Sequence, residues 1–250
     1  MASAMVTGVS RRVGIAWAVA QRLQRDGYAL SLSGWPEHDE EQPWGGDPAG
    51  APELDGALWE AADLAAPGAP ARLVGEHVAK HGGLDALVAV HARSSDQSLE
   101  TATAAELDLS FAVNARATVL LVQAAARAGV RRVVYFTTGV HHDPMPGELP
   151  YALSKVALQG ITTTLAASLA PAGATVTCIN PGPVDTGYAD EDHGAFIAQR
   201  MPLAPRWGRP QDIVGLVSWL LTDEAGWCTG QTIDIDGGWA LRGGVRPRGV

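Results

Sequence analysis

Residues 2–14 read Ala2-Ser3-Ala4-Met5-Val6-Thr7-Gly8-Val9-Ser10-Arg11-Arg12-Val13-Gly14, a short apolar run followed by a glycine-rich turn. Ile15, Val19 and Leu23 then recur at helical spacing, and Gly27 ends the segment. A strand, a glycine turn and a helix in this order form a phosphate cradle, because glycines let the backbone approach a pyrophosphate and the helix N-terminus offers N–H groups. An ordinary tight turn is the alternative, and the glycines alone do not decide between the two.

Beyond this unit, short apolar runs alternate with stretches of helical periodicity. The pattern predicts further strands at 28–33, 58–62, 84–90, 132–136, 175–179 and 232–235, and helices at 71–81, 104–128, 150–170 and 211–221. Strands that alternate with helices form a parallel sheet that is covered on both faces. We therefore predict one doubly wound α/β domain over residues 1–250, without an internal repeat or an interdomain linker.

Three segments interrupt the alternation. Residues 35–52 are rich in proline, glycine and acidic residues, and their length predicts either a functional loop or a mobile one. Residues 188–209 follow the sixth strand, at the edge where open α/β sheets bind ligands. We predict a substrate lid there, with a plain surface helix as the alternative. Residues 243–250 are predicted to form a loose basic tail.

Charge and cysteine content argue against several classes of protein. The 18 basic and 27 acidic residues give a net charge of −9, which argues against nucleic acid or an anionic membrane as the main partner. No transmembrane span is evident, and the early first strand leaves no room for a signal peptide. Cys178 and Cys228 have apolar surroundings and are expected to be buried, inert thiols. A reducing cytoplasm is therefore the predicted compartment.

Thr138, Tyr151 and Lys155 form a candidate set for carbonyl chemistry. Tyr151 and Lys155 lie four residues apart, so a helix there places both side chains on one face. An ammonium beside a phenol favours the phenolate and is expected to lower the tyrosine pKa from its reference near ~10. A hydroxyl from Thr138 would hold a substrate oxygen next to that phenol. The Tyr-x-x-x-Lys spacing occurs often by chance, so its weight comes from the other motifs.

Further motifs follow one another in a fixed order along the chain. They are Thr7-Gly8-x5-Gly14-Ile15-Ala16, Asp63-Leu64, Val113-Asn114, Thr137-Thr138-Gly139, Tyr151-x3-Lys155, Asn180-Pro181-Gly182-Pro183-Val184-Asp185-Thr186 and Gly230-Gln231-Thr232-Ile233-Asp234-Ile235-Asp236-Gly237-Gly238. Over essentially its full length the chain resembles the short-chain dehydrogenase/reductase family, particularly members like the 3-oxoacyl-acyl-carrier-protein reductases. The resemblance implies a Rossmann-type fold, a nicotinamide cofactor and hydride transfer to or from a carbon–oxygen bond.

The resemblance also implies roles for individual residues. Tyr151 would be the general acid in reduction and the base in oxidation, Lys155 would hold the nicotinamide ribose, and Thr138 would take the place of the usual serine. Asn114 would bind a water that links Lys155 to solvent, with a helix-surface or capping amide as the alternative. Asp63 would contact the adenine, with a strand-end turn as the alternative. The implied cofactor-binding residues are Gly8, Ser10, Arg11, Arg12, Gly14, Ile15, Asp63, Tyr151, Lys155, Pro181, Gly182 and Thr186.

The resemblance further implies partners and an assembly. The expected substrate is a small carbonyl or alcohol, or an acyl thioester. Family members commonly form dimers or tetramers, so we expect a homodimer or homotetramer in which helices 104–128 and 150–170 pair across the interface. NADP(H) is the favoured cofactor, because Arg11 and Arg12 could meet a 2′-phosphate and Gly34-Trp35 stands where an aspartate would favour NAD(H). NAD(H) remains possible, since the arginine pair could also be solvated and Glu37 and Asp39 follow nearby.

One motif departs from the family pattern. After the fourth strand the family usually carries Asn-Asn-Ala-Gly, where this chain has Ala89-Val90-His91-Ala92. That motif braces the central strand and lines the cofactor floor. A degenerate protein that binds a dinucleotide without catalysis is therefore the alternative to an oxidoreductase.

Histidine and tryptophan residues complete the set of expectations. His141 and His142 are predicted to be exposed in a loop, and no metal site is predicted around them. Trp207, in the 188–209 segment, is predicted to contact the substrate. Trp219 is predicted to lie in the core face of its helix.

Overall fold

The computed structural model describes residues 1–140, 142–188 and 191–241, and in it seven parallel strands form one sheet. The strands are β1 (Ser3–Thr7), β2 (Ala29–Gly34), β3 (Leu58–Ala61), β4 (Ala86–Ala89), β5 (Arg132–Phe136), β6 (Thr175–Asn180) and β7 (Gln231–Asp234). Their spatial order is β3-β2-β1-β4-β5-β6-β7, which is a doubly wound Rossmann-type sheet. The predicted fold class is confirmed. His141 and the predicted tail at 243–250 lie outside the described residues.

Eight α-helices connect the strands within the described ranges. They are α1 (Ile15–Arg25), α2 (Pro36–Glu40), α3 (Ala69–His81), α4 (Ala104–Ser110), α5 (Ala117–Arg127), α6 (Leu149–Leu169), α7 (Glu191–Arg200) and α8 (Pro210–Leu220). Every predicted strand and helix is present, with ends that differ by a few residues at most. The sequence did not predict α2 within 35–52, and it left α7 within 188–209 as an alternative.

The strand side chains alternate between two separate cores. In β1, Ala4 and Val6 join the cluster beneath α1 and α8, whereas Met5 joins the cluster beneath α3, α5 and α6. The same alternation in β5 sends Val134 to the first cluster and Val133 to the second. Burial on both faces explains why these strands appear in the sequence as continuous apolar runs.

The helix predicted at 104–128 is present but is not uniform. A π-helical turn, Phe111–Arg116, joins α4 to α5 and places the buried Asn114 against α6. By length and composition alone, the 24-residue stretch Ala104–Arg127 could cross a membrane. However, 56% of its most apolar window is buried inside the protein, as in the core helix of a globular domain.

Two expectations about burial are wrong. Trp219 is expected in the core, but it is 41% exposed, because the buried face of α8 is formed by Ile213, Val217 and Leu220. Cys178 is buried as expected, whereas Cys228 is only half-buried. Both cysteines are free thiols.

The strand order reverses between β1 and β4, so the loops after these strands diverge and leave a crevice at their carboxyl ends. The position directly after β1, occupied by Gly8, has space in this crevice only for glycine. Its φ is +85°, and a Cβ there would lie 2.6 Å from the backbone nitrogen of His91, which follows β4. The fold therefore depends on glycine at this position for conformation and for space.

Replacing Gly8 with alanine should destabilise the protein more than the matched change at Gly27. Gly27 has nearly the same φ, +88°, but a Cβ added there would meet nothing within 4 Å. Gly27→Ala should therefore cost only the left-handed backbone penalty, about 1–2 kcal/mol, and Gly8→Ala should add the clash with His91. Urea unfolding of both variants measures the difference. Equal losses would show that the contact between Gly8 and His91 does not constrain the fold.

Candidate functional site

A cavity of about 940 Å³ opens at the carboxyl ends of the strands. It extends from the glycine turn after β1, past the ends of β2 and β4, to α6 and the 188–209 segment. Its volume lies at the upper end of the range for small-molecule and cofactor sites. Most predicted site residues line it, namely Gly8, Ser10, Arg11, Gly14, Ile15, Asp63, Thr138, Tyr151, Lys155, Pro181, Gly182 and Thr186.

The glycine turn forms one end of the cavity. Gly14 has extended backbone and directly precedes Ile15, so the N-terminus of α1 faces the cavity. The Ser10 hydroxyl accepts a hydrogen bond from the Trp35 backbone at 2.9 Å, which ties the turn to the end of β2. One carboxylate oxygen of Asp63 accepts a hydrogen bond from the Ala65 N–H, which is the strand-end turn considered as the alternative to adenine contact. Asp63 also lines the cavity.

The two arginines of this turn have different surroundings. Arg11 lines the cavity and donates to the Gly187 carbonyl at 3.2 Å. Arg12 does not line the cavity, because its guanidinium donates to Asp47 at 2.6 Å and to the carbonyls of Gly50 and Ala51. Of the two arginines predicted to bind the cofactor, only Arg11 therefore lines the cavity, and Arg12 holds the loop after α2.

Asp47 completes this contact from the loop side. One carboxylate oxygen accepts from the Arg12 backbone N–H at 2.7 Å, and the side chain is almost fully buried. Although burial opposes the charged form, the hydrogen bonds from Arg12 and Ala49 hold the pKa of Asp47 below its usual value. The 35–52 segment is thereby fixed to the glycine turn, and its residues Trp35, His38, Asp39 and Trp44 line the cavity.

Lys155 is buried at the centre of the site. Its ammonium donates to the backbone carbonyls of His91 at 3.3 Å and Phe136 at 3.2 Å. His91 lies just after β4, and Phe136 is the last residue of β5. The Thr137 hydroxyl donates to the Lys155 carbonyl at 2.8 Å and so anchors this turn of α6 to the sheet. Desolvation lowers the pKa of Lys155 to about 8.

Tyr151 lies one helical turn before Lys155 on the same face of α6, as predicted. Burial raises its pKa, the charge of Glu148 raises it further, and the nearby Thr138 hydroxyl lowers it. The expectation that Lys155 lowers the tyrosine pKa is wrong in this structure, because desolvation dominates and the Lys155 Nζ is 6.0 Å from the phenol ring centroid. The Thr138 hydroxyl also contacts the Met145 sulfur at 3.6 Å.

Asn114 is fully buried and does not line the cavity. Its side-chain oxygen accepts from the Arg93 N–H at 2.7 Å, and its amide nitrogen donates to the Arg93 carbonyl and to the Ser154 hydroxyl. The Ser154 hydroxyl donates in turn to the Tyr151 carbonyl at 2.7 Å. Asn114 therefore joins the π-helical turn to the segment after β4 and to α6 through side-chain contacts alone.

The segment after β6 closes the cavity on the other side. The Asn180 amide donates to Asp234 at 2.8 Å, and its oxygen accepts from the Gly182 N–H at 3.1 Å. Gly182 has φ +63°, and a Cβ there would overlap Asp236. His142 is expected to be exposed, but it lines the cavity and its Nε2 lies 3.0 Å from Asp234.

Aromatic residues of the 188–209 segment line another part of the cavity. Tyr188, His193 and Phe196 line the cavity together with Met145 and Trp239. Trp207 does not line it and instead packs against Tyr188 and His193, with ring centroids 5.5 and 5.6 Å away. Trp207, which was predicted to contact the substrate, therefore lies behind two residues that line the cavity.

His91, Arg93 and Glu148 are among the lining residues that were not predicted from the sequence. In the sequence, His91 is noticeable only because it departs from a family motif. Arg93 belongs to no motif, and Glu148 is distinguished only by lying three residues before Tyr151. Arg93 forms a paired contact with Glu106, at 2.9 Å for both Nε and Nη2. Its Nη1 lies 3.3 Å from His38 Nδ1, and burial together with this cation lowers the pKa of His38. Among the residues described, no group of three or more histidine, cysteine or acidic side chains could hold a metal ion.

The cavity suits a nicotinamide dinucleotide. Its glycine turn and helix N-terminus lie at one end, where a pyrophosphate needs close backbone approach, and Tyr151 and Lys155 lie toward the other. Gly8, Gly14 and Ile15 would hold the pyrophosphate, Asp63 the adenine side, and Lys155 with Gly182 the nicotinamide side.

Comparisons with known proteins agree with this geometry. A family model described as enoyl-(acyl carrier protein) reductase matches residues 8–240. The chain is 31% identical to the uncharacterized oxidoreductase YjdA of Bacillus subtilis (strain 168), over 96% of this chain and 97% of that protein. It is 30% identical to human dehydrogenase/reductase SDR family member 4, over 90% and 83% of the two chains.

A solved structure shows the same fold. It is a short-chain dehydrogenase of Burkholderia cenocepacia J2315 in complex with NADP, 32% identical, with a TM-score of 0.81 over 95% of this chain and 97% of that one. Fold, motif order and full-length similarity therefore agree, and the chain belongs to the short-chain dehydrogenase/reductase family of NAD(P)-dependent oxidoreductases.

Proposed function

We propose that this protein is an NADPH-dependent reductase of a small carbonyl compound and, in reverse, a dehydrogenase of the corresponding alcohol. The observation that carries the proposal is that Thr138, Tyr151 and Lys155 line the same cavity as the glycine turn. A carbonyl oxygen placed between the two hydroxyls would have a proton donor and a second hydrogen-bond donor.

The chain's own part in the reaction is proton transfer at the substrate oxygen. The bound cofactor supplies or accepts the hydride. In reduction Tyr151 Oη donates its proton to that oxygen, and in oxidation the phenolate takes the proton back. Thr138 Oγ1 holds the same oxygen in place. Because burial keeps the pKa of Tyr151 above its reference value, the phenol is protonated near neutral pH and is ready for the reductive direction.

Lys155 and Asn114 would support this transfer. The Lys155 ammonium would bind the ribose hydroxyls and favour the phenolate when Tyr151 has lost its proton. Asn114 would fix the backbone around Lys155, since its side chain joins Arg93 to Ser154. We propose that the water of the relay to solvent binds the Asn114 side-chain oxygen, which accepts one hydrogen bond from Arg93 and has a second lone pair.

Several observations favour NADP(H) over NAD(H). Gly34 and Trp35 at the end of β2 present no carboxylate, Arg11 lines the cavity, and Glu37 does not. Asp39 does line it, but its carboxylate accepts from Trp44 Nε1 at 2.9 Å. The structural relative from Burkholderia cenocepacia was solved with NADP.

The substrate end favours an uncharged or cationic organic carbonyl compound over an acyl thioester on an acidic carrier. It combines the aromatic side chains of Tyr188 and Phe196 with the carboxylates of Glu148 and Asp96. Negative charge there disfavours an anionic substrate. We propose that the 188–209 segment acts as the lid over this end, since Tyr188, His193 and Phe196 line the cavity from it.

A second copy of the chain is the proposed partner. Leu109, Phe111 and Val119 on the α4–α5 helix and Leu153 and Val156 on α6 are large apolar side chains that are 36–54% exposed. Such residues on adjacent helices indicate a subunit contact. The free thiols of Cys178 and Cys228 support a reducing compartment, for which we propose the cytoplasm.

Tyr151→Phe should abolish carbonyl reduction and leave cofactor affinity nearly unchanged, because only the transferable proton is removed. A loss of roughly 10²–10⁴-fold in kcat is expected. Thr138→Ala should lower kcat by roughly 10²-fold, whereas Thr138→Ser should retain activity. Steady-state rates with a panel of ketones and aldehydes, alongside cofactor titrations, measure both effects. Cofactor binding without turnover of any carbonyl by the wild-type protein would favour the non-catalytic alternative.

Arg11→Ala should weaken NADPH binding much more than NADH binding, because only NADPH carries the 2′-phosphate. A charge-assisted contact corresponds to about ten- to a hundredfold in Kd. Arg12→Ala is the matched control, since its guanidinium is bound to Asp47 and should affect both cofactors alike. The test is to measure the Kd of NADPH and of NADH for the wild type and both variants at low and at high salt. If Arg11→Ala reduces both affinities equally, or if the wild type prefers NADH, the proposed NADP(H) preference is wrong.

Glu148→Gln should shift the pH dependence of alcohol oxidation to lower pH. The Glu148 charge raises the pKa of Tyr151, so its removal lowers that pKa and makes the phenolate available at lower pH. Asp96→Asn is the control, because Asp96 acts on the pKa of Glu148 and is not among the groups that shift Tyr151. The pH profiles of kcat for the three proteins provide the test. If the pH profile of Glu148→Gln is not shifted, Glu148 does not affect the pKa of Tyr151 during the reaction.

A further inference from the structure

The imidazole of His91 connects three elements beneath the cavity. It is 7% exposed and lies two residues after β4. Its Nδ1 is 2.7 Å from the Thr7 hydroxyl at the end of β1, and its Nε2 is 3.1 Å from the Val113 carbonyl in the π-helical turn. The Thr118 hydroxyl of α5 lies 3.3 Å from the same Nε2.

These contacts fix the tautomer of the ring. The Val113 carbonyl can only accept, so Nε2 carries the proton, and Nδ1 accepts from the Thr7 hydroxyl. Thr118 agrees with this assignment, since its hydroxyl donates to the Asn114 carbonyl at 2.8 Å and its oxygen is left to accept. Desolvation, with a smaller contribution from the Lys155 charge, lowers the pKa of His91 to about 3, so the ring stays neutral at physiological pH.

The backbone of His91 touches both halves of the site. Its nitrogen and Cα are the atoms that a Cβ on Gly8 would meet, at 2.6 and 2.8 Å. Its carbonyl accepts one of the two hydrogen bonds from the Lys155 ammonium. Any shift of residue 91 would therefore move the glycine turn and the lysine together.

We propose that His91 is a positioning residue, whose ring hydrogen bonds to Thr7 and Val113 hold its backbone so that the glycine turn and the Lys155 ammonium stay in place for cofactor binding. The stretch Ala89-Val90-His91-Ala92 lacks the usual asparagine side chains. The His91 ring supplies hydrogen bonds between β1 and the π-helical turn from this stretch. The inference rests on the proposed oxidoreductase function where kcat is measured, whereas the measurement of cofactor Kd does not require that function.

Two substitutions at the same position test the role. His91→Leu fills a similar volume without hydrogen bonds, whereas His91→Gln can still direct a side-chain amide toward Val113. His77→Leu is the matched control, because His77 is also fully buried, hydrogen-bonds Ser31 at 2.9 Å and does not line the cavity. All three variants are compared with wild type for unfolding free energy, cofactor Kd and the pH profile of kcat.

We expect His91→Leu and His77→Leu to lose stability alike but to differ at the site. His91→Leu should weaken cofactor binding by about tenfold or more, and His91→Gln should recover part of this loss. The limb of the pH profile that reports Lys155 should move to lower pH in His91→Leu, because the ammonium loses a well-placed acceptor. If His91→Leu binds cofactor and titrates as His77→Leu does, the positioning role is refuted.

A second variant and a cofactor-free measurement cover the case in which His91→Leu does not fold. Thr7→Val removes the hydroxyl that donates to Nδ1, while Thr7→Ser keeps it, so only the valine variant should weaken cofactor binding. NMR of ¹⁵N-histidine in the cofactor-free protein should show a neutral Nε2–H ring that does not titrate between pH 5 and 8. A titrating His91, or equal affinities in both Thr7 variants, would overturn the inference. Wild-type protein that binds cofactor but reduces no carbonyl would refute the proposed function alone.

Discussion

The buried ammonium of Lys155 is the constraint on which the rest of the site depends. A buried charge is costly unless hydrogen-bond acceptors replace its water. Here the acceptors are the carbonyls of His91, just after β4, and of Phe136, at the end of the adjacent β5. Parallel strands end at one edge of the sheet, so this topology brings both carbonyls to one point on α6. The ends of β4 and β5 therefore determine where the lysine can lie, and the cavity forms around it.

Burial has opposite effects on the two titrating partners of this site. It lowers the pKa of Lys155 to about 8 and raises that of Tyr151. Both shifts favour the neutral forms, so they separate the two pKa values and oppose transfer of a proton from Tyr151 to Lys155. Glu148 adds to the shift at Tyr151, while the Thr138 hydroxyl opposes it. The reactive hydroxyl therefore depends on a balance between desolvation and two neighbours on different segments.

Much of the fold was predictable, because strands such as β1 and β5 are buried on both faces and leave plain apolar runs. The site residues at Gly8, Tyr151 and Gly182 were predictable because glycine turns and helical spacing are local signals. Arg12 and Trp207 were misplaced because their partners, Asp47 and Tyr188, lie far away in sequence. The tyrosine pKa was misjudged for a similar reason, since spacing reveals a nearby charge but does not reveal burial.

The π-helical turn between α4 and α5 has a consequence for how this chain can vary. A π turn holds one residue more than an α turn. Losing a single residue from Phe111–Arg116 would therefore return this turn to α-helical geometry. The Asn114 side chain would then leave the direction from which it contacts Arg93 and Ser154. A deletion in this turn should therefore change the site even where a substitution at an exposed position leaves it intact.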